Sequence, residues 1–145
     1  MNSSASPRVY LADDSGVICS RVAASLLGHQ LAVVGQGATP EACIAGILAS
    51  RPDVVVLDIQ LEGGSGLQVL KAVRAADPAI AFVVFSNNAN PSYRKRYLGE
   101  GAAGFLDKSG DFERLPAAIR AAALTGPLSA APLPPSAGAD AVRPQ

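Results

Sequence analysis

Residues 54–66 read VVVLDIQLEGGSG: four apolar side chains, Val54 to Leu57, then a single carboxylate, Asp58, then a glycine-rich loop. An apolar run without alternation is the pattern of a strand covered on both faces, as at the centre of a parallel sheet. A charge is expensive to desolvate. Asp58, placed where such a strand stops, therefore needs partners, and the rest of the chain must supply them.

Outward from this stretch, apolar runs alternate with helical periodicity. Residues 8–13 (RVYLAD), 31–37 (LAVVGQG), 53–58, 80–86 (IAFVVFS) and 103–107 (AGFLD) read as strands. Between the first two, Ile18, Val22 and Leu26 recur every fourth residue, and Gly28 stands where that helix should end. Thr39 is placed to cap a second helix with Pro40 at its first position, and Pro52 stops it before the third strand. Ser65 caps a helix carrying Leu67, Leu70 and Val73 that ends near Asp77-Pro78. A fourth helix is expected over roughly 91–99. The last helix carries Phe112, Leu115, Ile119 and Ala123; Pro116 lies inside that pattern, so it starts after Asp111 or is kinked. Five strands alternating with five helices predict an α/β fold, a parallel sheet wound on both faces.

The 145 residues suffice for one domain with a core, expected over 8–125. Residues 1–7 form a short extension, and 126–145 (GPLSAAPLPPSAGADAVRPQ) read as a Pro/Ala-rich flexible tail or linker. With 49% apolar and 17% charged residues the chain reads as a compact globule. Twelve basic residues balance twelve acidic ones, so no net field draws it to nucleic acid or anionic lipid. Cys19 and Cys43 stand apart without CxxC spacing, as small buried thiols in a reducing compartment do. No apolar run has membrane-span length, and MNSSASPR lacks a secretory core, so a cytoplasmic protein is expected.

In open α/β sheets ligands bind beyond the carboxyl ends of the strands. Those ends carry Asp13-Asp14 after the first strand, Asp58 after the third, Ser86 after the fourth and Lys108 after the fifth. Three carboxylates at one edge repel one another unless a cation lies between them. The candidate ligands are all oxygens, which points to a hard, partly hydrated ion, Mg²⁺ above all. Lys108 and the Ser86 hydroxyl add a positive charge and a donor, the equipment of phosphoryl transfer, with Asp58 as nucleophile and an acyl phosphate as product. His29, the one histidine, follows a helix-ending glycine and builds no triad. Gly63, Gly64 and Gly66 follow the wrong strand for a dinucleotide fingerprint.

The order Asp13-Asp14, Asp58, Ser86, Lys108 resembles the receiver domain of two-component response regulators over about residues 8–125. Gly66 and Phe105 match that family's loop glycine and switch aromatic, and GFLDKSGDFERLPAAIR looks most like receivers that carry helix-turn-helix output domains. The resemblance implies a flavodoxin-like sheet in the order 2-1-3-4-5. It implies that Asp58 accepts phosphate from a histidine kinase or phosphotransfer protein, without the chain being a true enzyme. Asp13, Asp14, Asp58 and the backbone carbonyl of Gln60 would hold Mg²⁺, and Ser86 and Lys108 would bind the phosphoryl group. Ser86 and Phe105 would then reshape the face of helix 4, strand 5 and helix 5. On it the basic-aromatic run Tyr93, Arg94, Lys95 and Tyr97 is expected to meet a protein partner or a second receiver, with no direct nucleic-acid or membrane contact. Three positions depart from the family pattern: Glu62 and Ser109 stand where prolines are common, and Asn87 where a small residue is usual. The alternatives are a degenerate docking module and a phosphatase of the haloacid dehalogenase type, though the latter needs DxD on the first strand.

Overall fold

The computed structural model describes residues 6–88 and 90–125. Strands β1 (Arg8–Ala12), β2 (Ala32–Gly37), β3 (Val54–Leu57), β4 (Ala81–Ser86) and β5 (Gly104–Asp107) form one sheet in the order β2-β1-β3-β4-β5. Every pairing in it is parallel. Helices α1 (Gly16–Gly28), α2 (Pro40–Ser50), α3 (Gly66–Ala76), α4 (Pro91–Gly99) and α5 (Leu115–Thr125) connect them. This is the flavodoxin-like arrangement. The expected extension before residue 6 and the tail over 126–145 lie outside the described residues.

The unalternating run of β3 is explained by two apolar layers. Val55 and Leu57 pack with Val69, Leu70 and Val73 of α3 and with Cys43 and Ile47 of α2. Val54 and Val56 face the other way, against Cys19, Val22 and Leu26 of α1 and Leu115, Ile119 and Ala122 of α5. Strand side chains alternate between faces, so a sheet sandwiched by helices needs apolar residues at every position. Both cysteines are free and buried, as expected.

The strands stop slightly short of the sequence reading. Asp13 and Asp58 lie one residue beyond β1 and β3, although their N–H groups still bond Gly37 O (3.1 Å) and Ala12 O (2.9 Å). The sheet thus lends its order to residues outside it. Pro116 produces no kink: a 3₁₀ turn, Phe112–Arg114, precedes α5, and the proline falls in the first turn of that helix, where no N–H is needed. One element was not foreseen. Gln60–Leu61 pairs antiparallel with Gly64–Ser65 in a two-residue hairpin, turning through Gly63 at φ 81°.

Candidate functional site

The partner of Asp58 is Lys108. Its Nζ lies 3.0 Å from Asp58 Oδ2 and 2.7 Å from Asp13 Oδ2, and its side chain is only 6% exposed. Asp58 Oδ1 accepts from the Ile59 N–H at 2.7 Å, which leaves Oδ2 as the oxygen facing the lysine. Asp13 Oδ1 accepts from Ser15 N at 2.9 Å, turning the chain into α1. Ser15, not Asp14, caps that helix, through the Ile18 N–H. Asp14 is left exposed beside the other two carboxylates.

Asp13, Asp14 and Asp58 each offer an oxygen, all within 4.8 Å of one another. Burial raises the Asp58 carboxyl above the ordinary range; the Lys108 charge opposes this and the Asp13 charge adds to it. Burial pulls the Lys108 amine down, but its bonds to Asp13 and Asp58 outweigh that and raise it on balance. Lys108 therefore stays charged at neutral pH. Among these groups the negative charges outnumber the positive one, and all the donors are oxygens, so the cluster fits a hard divalent cation.

The hairpin turns a further backbone oxygen away from its own ladder. Gln60 faces Ser65 and Leu61 faces Gly64, while Gly66 N donates to Ile59 O at 2.7 Å. In an antiparallel ladder this pattern turns the N–H and C=O of Gln60 to the opposite edge. On that edge Glu62 N donates to Ala38 O at 2.9 Å. Gly66 is required by close approach: a Cβ there would collide with the carbonyl oxygen of Asp58.

Ser86 ends β4 opposite Asp107, and its carbonyl accepts from Lys108 N at 3.0 Å. The backbone thus ties Ser86 to the lysine. Its Oγ, buried, accepts from Asn88 N at 3.1 Å, which leaves the hydroxyl proton to be donated elsewhere. Asn87 is exposed. Ser109 uses what proline would lack: its N–H and Oγ both reach Asp107 Oδ1 at 2.8 Å. These bonds hold the Asp107 carboxyl below the usual range, and no peptide among the described residues is cis.

The expected interaction surface needs one correction. Tyr93, Arg94 and Lys95 are exposed, but Tyr97 is 2% exposed and belongs to the core. Its ring meets Phe105 edge-on, centroids 6.4 Å apart at 64°. Burial pushes its hydroxyl up to about 12, against the lowering effect of a hydrogen bond with the Leu67 backbone. Basic neighbours hid this residue in the sequence, because α4 buries Tyr97 alone. Arg94 also turns inward: its Nη1 donates to Phe105 O at 3.1 Å, and its guanidinium carbon lies 5.9 Å from the Phe105 ring centroid. His29 sits at the α1 terminus with Nδ1 2.9 Å from Ser25 O, away from the site.

Comparison with known proteins points the same way. The family model of the response regulator receiver domain matches residues 9–120. An uncharacterized transcriptional regulatory protein YvfU of Bacillus subtilis is 30% identical over 114 residues, 78% of this chain and 57% of that protein. The probable transcriptional regulatory protein NarL of Mycobacterium tuberculosis is 34% identical over 102 residues, 70% of this chain and 47% of its own. The solved signal receiver domain of the putative response regulator NarL from M. tuberculosis superposes with a TM-score of 0.76 at 31% identity, covering 82% of this chain and 97% of that one. The chain spans about half the length of the curated relatives it matches.

Proposed function

The chain belongs to the response regulator receiver family, and on that premise we propose that Asp58 is its phosphoacceptor, supplied by a histidine kinase or a phosphotransfer protein. The carrying observation is a buried carboxylate whose Oδ2 lies 3.0 Å from the Lys108 ammonium and beside two further carboxylates. Family membership removes the haloacid dehalogenase alternative. We take residues 8–125 as the receiver unit. No helix among the described residues is long and apolar enough to cross a membrane.

With Oδ1 held by Ile59, Oδ2 attacks the phosphorus of a phosphohistidine. The new O–P bond forms as the N–P bond breaks, and the electron pair returns to the ring nitrogen, so that a phosphohistidine protonated on its other nitrogen leaves as neutral imidazole. Lys108 leaves Asp58 Oδ2 to follow the transferred group, and Ser86 donates its hydroxyl proton to a phosphoryl oxygen. Asp13, Asp14, Asp58 and the Gln60 carbonyl would hold Mg²⁺, which when bound neutralises the carboxylates and polarises the phosphoryl oxygens. The product is an acyl phosphate with at most slow self-hydrolysis, and the chain acts as acceptor rather than turnover enzyme.

Phe105, held between Tyr97 and Arg94, is the element through which Ser86 reports its new contact to the α4–β5–α5 face. Tyr93, Arg94 and Lys95 form the outer surface there, for a protein partner or a second receiver. The relatives are named as transcriptional regulators; for residues 8–125 we propose protein contact, because twelve basic residues balance twelve acidic ones and no net field draws the chain to nucleic acid.

Incubation with acetyl phosphate and Mg²⁺ tests the acceptor. Hydroxylamine-sensitive label should appear in the wild type and be lost in Asp58→Asn; label retained in that variant would place the acceptor elsewhere.

A further inference from the structure

The hairpin after Asp58 is clamped between the first turns of two helices. On one side Gln68 of α3 reaches back so that its Oε1 accepts from Ser65 N at 2.9 Å, while Ser65 Oγ accepts from Gln68 N at 3.4 Å. On the other side lies Pro40 of α2. A Cβ on Gly64 would run into Gln68 Oε1 and come within 2.6 Å of Pro40 Cγ, so the hairpin backbone fills the gap between them. Leu61 is buried in the same cluster as Cys43 and Ile47 of α2. These contacts leave little freedom in the register of the ladder.

That register decides where a backbone oxygen points. Gln60 and Ser65 face one another without exchanging hydrogen bonds, so the Gln60 carbonyl is turned away from the hairpin. A slip of one residue would turn it inward. The Gln68 amide bonds the N–H of Ser65, the residue opposite Gln60. We propose that Gln68 is a positioning residue for the metal site: by fixing Ser65 it fixes the direction of the Gln60 carbonyl, and so tunes divalent-cation affinity without touching the ion. The inference rests on the reading of Gln60 as a backbone ligand. Direct hydrogen-bond partners of metal ligands commonly change affinity by about tenfold or more when removed; Gln68 acts one residue further out, so a smaller change is expected.

A helix cap with no other role would behave differently. Removing it would lower stability and leave the metal titration unchanged.

The test is a Mg²⁺ titration of the full chain followed by the amide resonances of residues 58–66, with thermal midpoints measured in chelator. Gln68→Ala should raise the Mg²⁺ midpoint about fivefold, below the roughly tenfold that a direct partner of a ligand carries. Gln68→Glu, whose carboxylate can accept the same Ser65 N–H, should stay within about twofold of the wild type. In acetyl phosphate labelling, Gln68→Ala should need more Mg²⁺ and reach the wild-type rate at saturation. An unchanged Mg²⁺ midpoint in Gln68→Ala, with a lower thermal midpoint alone, would reduce Gln68 to a cap and overturn the proposal. If the wild type itself shows no Mg²⁺-dependent shift, the metal reading fails and this inference falls with it. If Mg²⁺ shifts the carboxylate loops but leaves residues 59–61 unmoved, the Gln60 ligand is wrong while the acidic site stands.

Discussion

At the carboxyl ends of the strands Lys108 lies between Asp13 and Asp58 with its side chain 6% exposed. At the amino ends Arg51 Nη2 lies 3.3 Å from Asp77 Oδ2 with its side chain 73% exposed, and Asp53 Oδ2 accepts from the Arg8 N–H at 2.8 Å. Both poles pair opposite charges at similar distances. They differ in water. Arg51 can trade its partner for solvent at little cost, and Asp77, though 17% exposed, keeps the Ala79 N–H on Oδ1. At the upper pole, by contrast, cation and carboxylates alike have given up hydration and depend on one another. The upper pole keeps charges that folding alone would not favour, which is what a reactive site requires.

The sharpest way to break this contrast is to remove the lysine. Lys108→Met should cost about 3 kcal/mol of unfolding free energy at pH 7 in chelator, because two buried carboxylates lose their counter-charge. Added Mg²⁺ should restore part of it, and chemical denaturation with and without the ion measures both. The raised pKa of Lys108 means its charge is present across the neutral range and is lost only as pH rises through that folded value.

A smaller effect of opposite sign is expected for Asp58→Asn. The Asp58 carboxyl is raised in the folded state, chiefly by burial. The native state therefore binds the proton more tightly than the unfolded chain, and stability is lost as pH rises through the folded pKa. The amide escapes that penalty while Lys108 keeps Asp13 at 2.7 Å. In chelator the variant should melt above the wild type at pH 7, with the gap closing as pH falls toward the ordinary carboxylate value. A variant less stable than wild type at pH 7 would mean the Lys108 bond to Asp58 outweighs its desolvation.

Smallest of all, Arg51→Ala should change stability by less than about 1 kcal/mol at any salt concentration. A loss matching that of Lys108→Met would erase the distinction between the poles.

The sequence displayed the site more fully than its supports. Asp13, Asp58, Ser86 and Lys108 were legible because each ends or follows an apolar strand, and a parallel sheet gathers such endings at one edge. The hairpin was not, since two residues per strand carry no periodicity and the glycines of 63–66 read as loop. Tyr97 reads as surface in the sequence because composition averages over a helix, while burial is decided by the single residue facing Phe105. Ser109 stood out as a departure from the family pattern; only its bonds to Asp107 Oδ1 show that the local turn uses the N–H a proline would remove.

Arg8, where β1 begins, and Ala122 and Ala123, in the last turns of α5, all border Asp53: the first through hydrogen bonds, the others across a shared cleft. Entry and exit of the folded unit thus stand side by side, roughly 17 Å, one five-residue strand, from the carboxylates. A junction made at either end of this unit would therefore join on the side of the sheet away from the chemistry, so splicing there should leave the acidic cluster undisturbed.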